Sequence, residues 1–223
     1  MKKLYKGLLS ACLAIFSLVA VQPQNAHADT ITMKFVGPGG ANSGGVYTYP
    51  YYFSIDGSKT ETALMCYSYQ NEIYSGETWT ATVESITPGD TKEEELAWLF
   101  NQATTTPSDA SLAQWSAWEL FDSSLTVSGK YGEPTQSAVT AELSSALNFV
   151  NTSGNSSFYS QFQLYIPVPG SQPRWDGLPQ SFIGQSPVPE PSSLMLLGTG
   201  LLGLAGLVFR KRFASKSPIT QAL

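Results

Sequence analysis

An uncharged run of nineteen residues, Pro191 to Phe209, stops at Arg210-Lys211-Arg212 and restricts the architecture of this chain more than any other feature. Its length is close to the roughly 20 residues that carry a helix across a hydrocarbon core. One C-terminal transmembrane helix is therefore expected. Cations directly after the span favour a cytoplasmic end, which makes 213–223 a cytoplasmic tail and leaves everything before Pro189 outside. Gly198, Gly200, Gly203 and Gly206 give the span a small-residue stripe suited to close packing against another helix. In front of it lies Val188-Pro189-Glu190-Pro191, whose two prolines keep the segment extended.

The other end carries Lys2, Lys3 and Lys6, an apolar stretch from Gly7 to Val21, and Ala26-His27-Ala28. This is the pattern of a secretory signal with an A-x-A cleavage site, so 1–28 read as a signal peptide and the mature chain as starting at Asp29. Between the two signals, 29–187 form an exported domain of 159 residues, enough for one core. That span holds five basic residues against sixteen acids, a net charge near −11. Nucleic acid is excluded as a partner, because phosphate binding needs a cationic surface. The only histidine, His27, leaves with the signal, which excludes Ser-His-Asp and Cys-His machinery and histidine-bound zinc. Cys66 is the one cysteine left, so no intramolecular disulfide is expected. No cofactor and no metal site are expected, and the domain reads as non-enzymatic.

The order of box, apolar span and basic stop resembles the PEP-CTERM signal of bacterial exosortase substrates. The resemblance implies a partner: an exosortase-type membrane transpeptidase that recognises Pro189-Glu190-Pro191 and cuts nearby. The sorting signal is then 188–212, with Val188, Pro189, Glu190, Pro191, Arg210, Lys211 and Arg212 as its recognition and stop residues. The protein would be held at the membrane before processing and end at the cell surface or outside it.

Within the exported domain, Tyr47, Tyr49, Tyr51, Phe53 and Ile55 alternate with smaller residues, which predicts a strand with one buried face. Asp56-Gly57 predicts a tight hairpin turn, with a return strand from about Thr60 to Tyr69. Thr78–Ser85 alternates again. The period then changes: Thr91-Lys92-Glu93-Glu94 reads as a capping box before Leu96, Leu99, Phe100 and Ala103. Glu93-Glu94-Glu95 reads as a solvated cap rather than a metal cluster. A second helix is expected from Ser108 to about Asp122 and a third from Thr135 to Val150. Phe158, Phe162, Leu164 and Ile166 predict a strand, as does Ser181 to Gly184. The class is α+β, an antiparallel β-sheet of a hairpin plus further strands with a helical middle.

On the second helix, Ala113, Gln114, Ala117, Trp118, Leu120 and Phe121 fall within about half the circumference, with Ser116, Glu119 and Asp122 opposite. Gln114 is thus expected among apolar side chains, where an unpartnered amide costs about 1 to 3 kcal/mol. Ala113-Gln114-Trp115-Ser116-Ala117-Trp118 resembles the apolar-Gln-x-x-apolar-Trp motif of bacterial surface thioester domains, and Cys66 in Leu64-Met65-Cys66-Tyr67 occupies the strand that carries their cysteine. The resemblance implies that the thiol attacks the Gln114 carboxamide, ammonia leaves, and the thioester acylates an amine on a target surface. The competing reading makes Cys66 a small buried hydrophobe and leaves Gln114 hydrogen-bonded to backbone.

Two functions follow. The first is a sorted surface or extracellular-matrix protein with a role in the envelope or biofilm and extracellular polysaccharide as a candidate partner. The second is a covalent adhesin that binds surface amines through a Cys66-Gln114 thioester.

Overall fold

The computed structural model describes residues 29–40, 42–172 and 177–186. The signal peptide, the sorting box, the transmembrane span and the tail expected above lie outside them. Among the described residues no helix is long and apolar enough to cross a membrane.

The chain runs through β1 (Asp29–Pro38), the small pair β2 (Asn42–Ser43) and β3 (Val46–Tyr47), then β4 (Tyr51–Ile55), β5 (Thr62–Cys66) and β6 (Thr78–Ser85). Three helices follow, α1 (Thr91–Thr105), α2 (Ala110–Phe121) and α3 (Gln136–Thr152), with a 3₁₀ turn at Pro107–Asp109 between the first two. The short α4 (Ser156–Tyr159) leads into β7 (Phe162–Pro167) and β8 (Phe182–Gln185). Helices and antiparallel strands are thus arranged as the composition of the segments predicts. The sheet goes further than a hairpin with additions, because it closes into a six-stranded barrel in the order β1-β4-β5-β8-β7-β6.

β1 was not legible as an element although Ile31, Met33 and Phe35 alternate in it; it closes the barrel by pairing with both β4 and β6. The strand expected from Tyr47 to Ile55 is broken. Pro50 has no amide hydrogen to give a ladder, and regular pairing starts at Tyr51. Tyr51 and Phe53 are buried as expected, but Tyr47 is 52% exposed and Tyr49 turns outward to pack edge-on against Phe100. The turn at Asp56-Gly57 is present: both residues have positive φ, 50° and 73°, and Ser58 N donates to Ile55 O at 2.9 Å. Its arms are unequal, since Asp56 stays with β1 through Thr32 while β5 rejoins β4 only at Phe53↔Thr62. The return strand is therefore shorter than expected, Thr62–Cys66 rather than Thr60–Tyr69.

Helix α1 is capped one residue earlier than the sequence suggests. Asp90, not Thr91, is the N-cap, and its carboxylate accepts from Lys92 N and Glu93 N. Glu93 and Glu94 reach back to Thr87 N and Gly89 N, whereas Glu95 points inward and is 7% exposed. Burial raises the Glu95 carboxyl above its ordinary range, against the pull of Lys92. Thr135 caps α3 by accepting from Ala138 N. Phe158 belongs to α4 rather than to a strand and meets Phe149 and Phe162 edge to face.

Two apolar cores share the sheet between them. Inside the barrel lie Met33, Phe35, Phe53, Leu64, Trp79 and Phe182, and Cys66 is among them. Outside it, Leu96, Leu99 and Phe100 of α1 press on Met65, Leu164 and Ile183. Successive residues of one strand serve opposite cores, as the two-residue period of a strand requires. Met65 faces the helices and Cys66 the interior.

Candidate functional site: the Cys66–Gln114 pair

Cys66 is the last residue of β5 and pairs with Phe182 of β8, so neighbouring strands fix its backbone on one side. The segment after it is pinned as well: Tyr67 N donates to Ser181 O at 3.0 Å, and Ser181 N donates to Ser68 Oγ at 2.7 Å. The thiol is fully buried and donates to Ser68 O at 3.5 Å.

Helix α2 meets this strand end. It is buried on nearly every side: Ala113 and Ala117 face the outer core, while Trp115 and Trp118 enter the inner one. Ser116, expected on a solvent face, is fully buried, and Leu120 and Phe121, expected in the buried half, are only half-buried. The reason is packing on three sides, by β5, α1 and α3, which no single helical stripe anticipates. Gln136 secures the arrangement, donating to both carboxylate oxygens of Glu119 at 2.9 and 2.8 Å and accepting from Val127 N at 3.1 Å.

Gln114 is fully buried, as expected. Its Nε2 donates to the backbone oxygen of Cys66, 48 positions away, while its Oε1 has no hydrogen-bond partner among the described residues. One turn on, Trp118 Nε1–H donates to Cys66 Sγ at 3.4 Å. The structure therefore brings together the two residues singled out in the sequence. Burial pushes the Cys66 thiol up to about 11, with the bonds from Trp118 and to Ser68 pulling the other way. The thiol is neutral at physiological pH. Tyr51 is raised too, by burial first and by the nearby Cys66 second.

An aromatic wall closes the pair from water. Tyr69 packs on Trp118 and Trp115 with ring centroids 5.1 and 5.9 Å apart, and the two indoles meet edge to face at 5.1 Å. Trp115 Nε1 donates to Ser43 Oγ at 2.9 Å, and that hydroxyl donates to Gly132 O at 2.8 Å, tying the β2–β3 pair over the helix. Sequence reasoning missed Ser43, Ser68 and Tyr69. Tyr69 alone left a trace, as an aromatic three residues after the cysteine.

The chain beyond β8 supplies the second half of the assignment. Residues 187–212 match the PEP-CTERM protein-sorting motif. A PEP-CTERM motif implies export and sorting by an exosortase, a membrane protein. It begins two residues after β8 ends, so the barrel is complete before the sorting segment starts. No curated protein matches the chain. Among solved structures, the N-terminal thioester domain of a surface protein from Clostridium perfringens is similar to it, at 13% identity over 72% of this chain and 100% of that one, with a TM-score of 0.44.

Proposed function

We propose that this chain is a sorted bacterial surface protein whose exported barrel is a covalent binding module, carrying an internal thioester between Cys66 and Gln114. The observation that supports it is the pair itself. A fully buried carboxamide, its oxygen without a partner among the described residues, sits against the one cysteine of the exported span, behind a wall of indole and phenol rings. In the reaction a Cys66 Sγ–Gln114 Cδ bond forms, the Cδ–Nε2 bond breaks, and the thiol proton leaves with the nitrogen as ammonia. The neutral thiol already carries the proton that the departing nitrogen needs, so the step requires no histidine and no metal. The aromatic wall then protects the acyl group from hydrolysis until an amine arrives.

The intact mass of the purified chain tests this. Loss of ammonia leaves it about 17 Da below the sequence mass, methylamine adds across the bond, and Cys66→Ala abolishes both effects while the fold persists. A full sequence mass with a titratable thiol would retire the thioester. That outcome would favour the plainer reading, a sorted envelope or matrix protein in which Gln114 serves only to satisfy the Cys66 carbonyl. For the sorting half, protease added to intact spheroplasts digests the domain; protection until the membrane is opened would sink it.

A further inference from the structure

We propose that Tyr51 sets which amines reach the Cys66–Gln114 thioester, standing as a gate between that bond and a cavity beside the β2–β3 pair; the inference rests on the thioester reading above. The cavity measures about 530 Å³, and its lining includes Phe35, Val46, Tyr47, Tyr51 and Ile73. That is room for a small ligand. One carboxylate, Glu72, belongs to the lining, and it accepts from Tyr74 Oη at 2.6 Å.

Strand register joins this cavity to the pair. Tyr51 lies opposite Leu64 on β5, and Cys66 is two residues further along the same inner face, which makes the cysteine a diagonal neighbour of the tyrosine at about 7 to 8 Å. Phe182, the partner of Cys66 on β8, meets the Tyr51 ring edge-on at 5.7 Å. Tyr51 thus belongs both to the cavity lining and to the inner core around the thiol. At 6% exposure it closes the passage, and its hydroxyl is fastened by a bond donated to Tyr47 O. The helix side is sealed by Trp115 and Trp118. Release of the Tyr47 bond lets the phenol swing into the cavity, while Phe35 and Phe182 on its flanks keep the opening narrow. A slender amine passes and a branched one is held out. The amine nitrogen then attacks Gln114 Cδ, the Cδ–Sγ bond breaks, and the proton lost by the amine goes to sulfur and restores the Cys66 thiol.

The test uses the full-length chain carrying Gln114→Ala, whose Cys66 thiol stays free, so the gate is read without the thioester and the two can fail separately. Methyl methanethiosulfonate and its bulkier benzyl analogue are timed against Cys66, followed by peptide mass so that Cys12 does not count. Adding Tyr51→Phe removes the bond to Tyr47 and is expected to speed the methyl reagent about fivefold, the factor set by one such hydrogen bond. The benzyl reagent, inert beforehand, is expected to react once Tyr51→Ala opens the passage. Val46→Trp fills the cavity and slows the methyl reagent, which keeps the test alive should the Tyr51 variants fail to fold. Asp90→Ala, which loosens the α1 cap instead, leaves both rates alone. The proposal is overturned if Tyr51→Phe or Val46→Trp leaves the methyl rate unchanged, or if Asp90→Ala accelerates it as much as Tyr51→Phe, since the thiol would then be reached by unfolding of the domain.

Discussion

Trp118 donates its indole N–H to the Cys66 thiol at 3.4 Å, while Gln114, four residues earlier on the same helix, donates to the carbonyl of the same cysteine. Residues four apart stack on one helix face, so a single turn of α2 grips both the side chain and the backbone of Cys66.

Trp118→Phe keeps most of the packing and removes the donor. The loss of one buried hydrogen bond should cost about 1 kcal/mol in urea unfolding. If the indole also orients the sulfur, the fraction of purified chain that has lost ammonia falls below that of the wild type. Unchanged stability and mass distribution would show the contact to be incidental.

Alkaline stability should depend on a free Cys66 thiol. Gln114→Ala cannot lose ammonia and so keeps that thiol. Burial raises its pKa from 9.0 to about 11, so the folded state holds the proton more tightly than the unfolded one. The contribution is fully present below the unfolded value and is lost as pH rises towards the folded one, on the order of 3 kcal/mol in all. Comparing Gln114→Ala with Gln114→Ala/Cys66→Ala reads it between pH 8 and about 11, because burial, the first cause of the shift in Tyr51 and Tyr67, is present in both variants and holds both phenols above that range; Cys66 is a lesser cause for each. Parallel stability curves between pH 8 and about 11 would contradict the burial of the thiol.

Phe53 is fully buried and touches Phe35, Trp79 and Phe182 with ring centroids 5.2, 5.8 and 4.7 Å away. Phe53→Ala should destabilise the domain by about 3 to 5 kcal/mol, read from the urea midpoint. A shift within error would mean that the inner face of β4 is assigned wrongly.

Asp90→Ala should cost about 1 kcal/mol by freeing Lys92 N and Glu93 N, and Thr91→Ala much less. Thermal unfolding of the two variants separates the observed cap from the one the sequence suggested. Equal losses would restore Thr91 to the capping role.

The legible parts of this chain were those governed by local period. β6 and the two longer helices follow from spacing alone, and the isolated polar residue on an apolar helix face marked Gln114 correctly. What stayed hidden depends on partners far along the chain. Ser116 looks like a surface residue until β5, α1 and α3 pack around its helix, Tyr49 looks like a barrel residue until the ladder starts at Tyr51 and its ring meets Phe100, and β1 alternates over only three apolar residues, directly after the segment read as a signal peptide. Barrel closure left no local trace, because it is made by pairing 65–66 with 182–183.

That last pairing sets an order on export. A chain emerging amino end first presents β5 long before β8 exists to cover it, so the edge bearing Met65 and Cys66 waits, open, through the passage of more than a hundred residues. Unpaired edges invite association with other chains, and contacts this distant form slowly. Truncation after β7 would leave two such edges for good. The translocating chain is therefore most vulnerable just before its final strand clears the membrane, and the sorting segment is the next thing to follow.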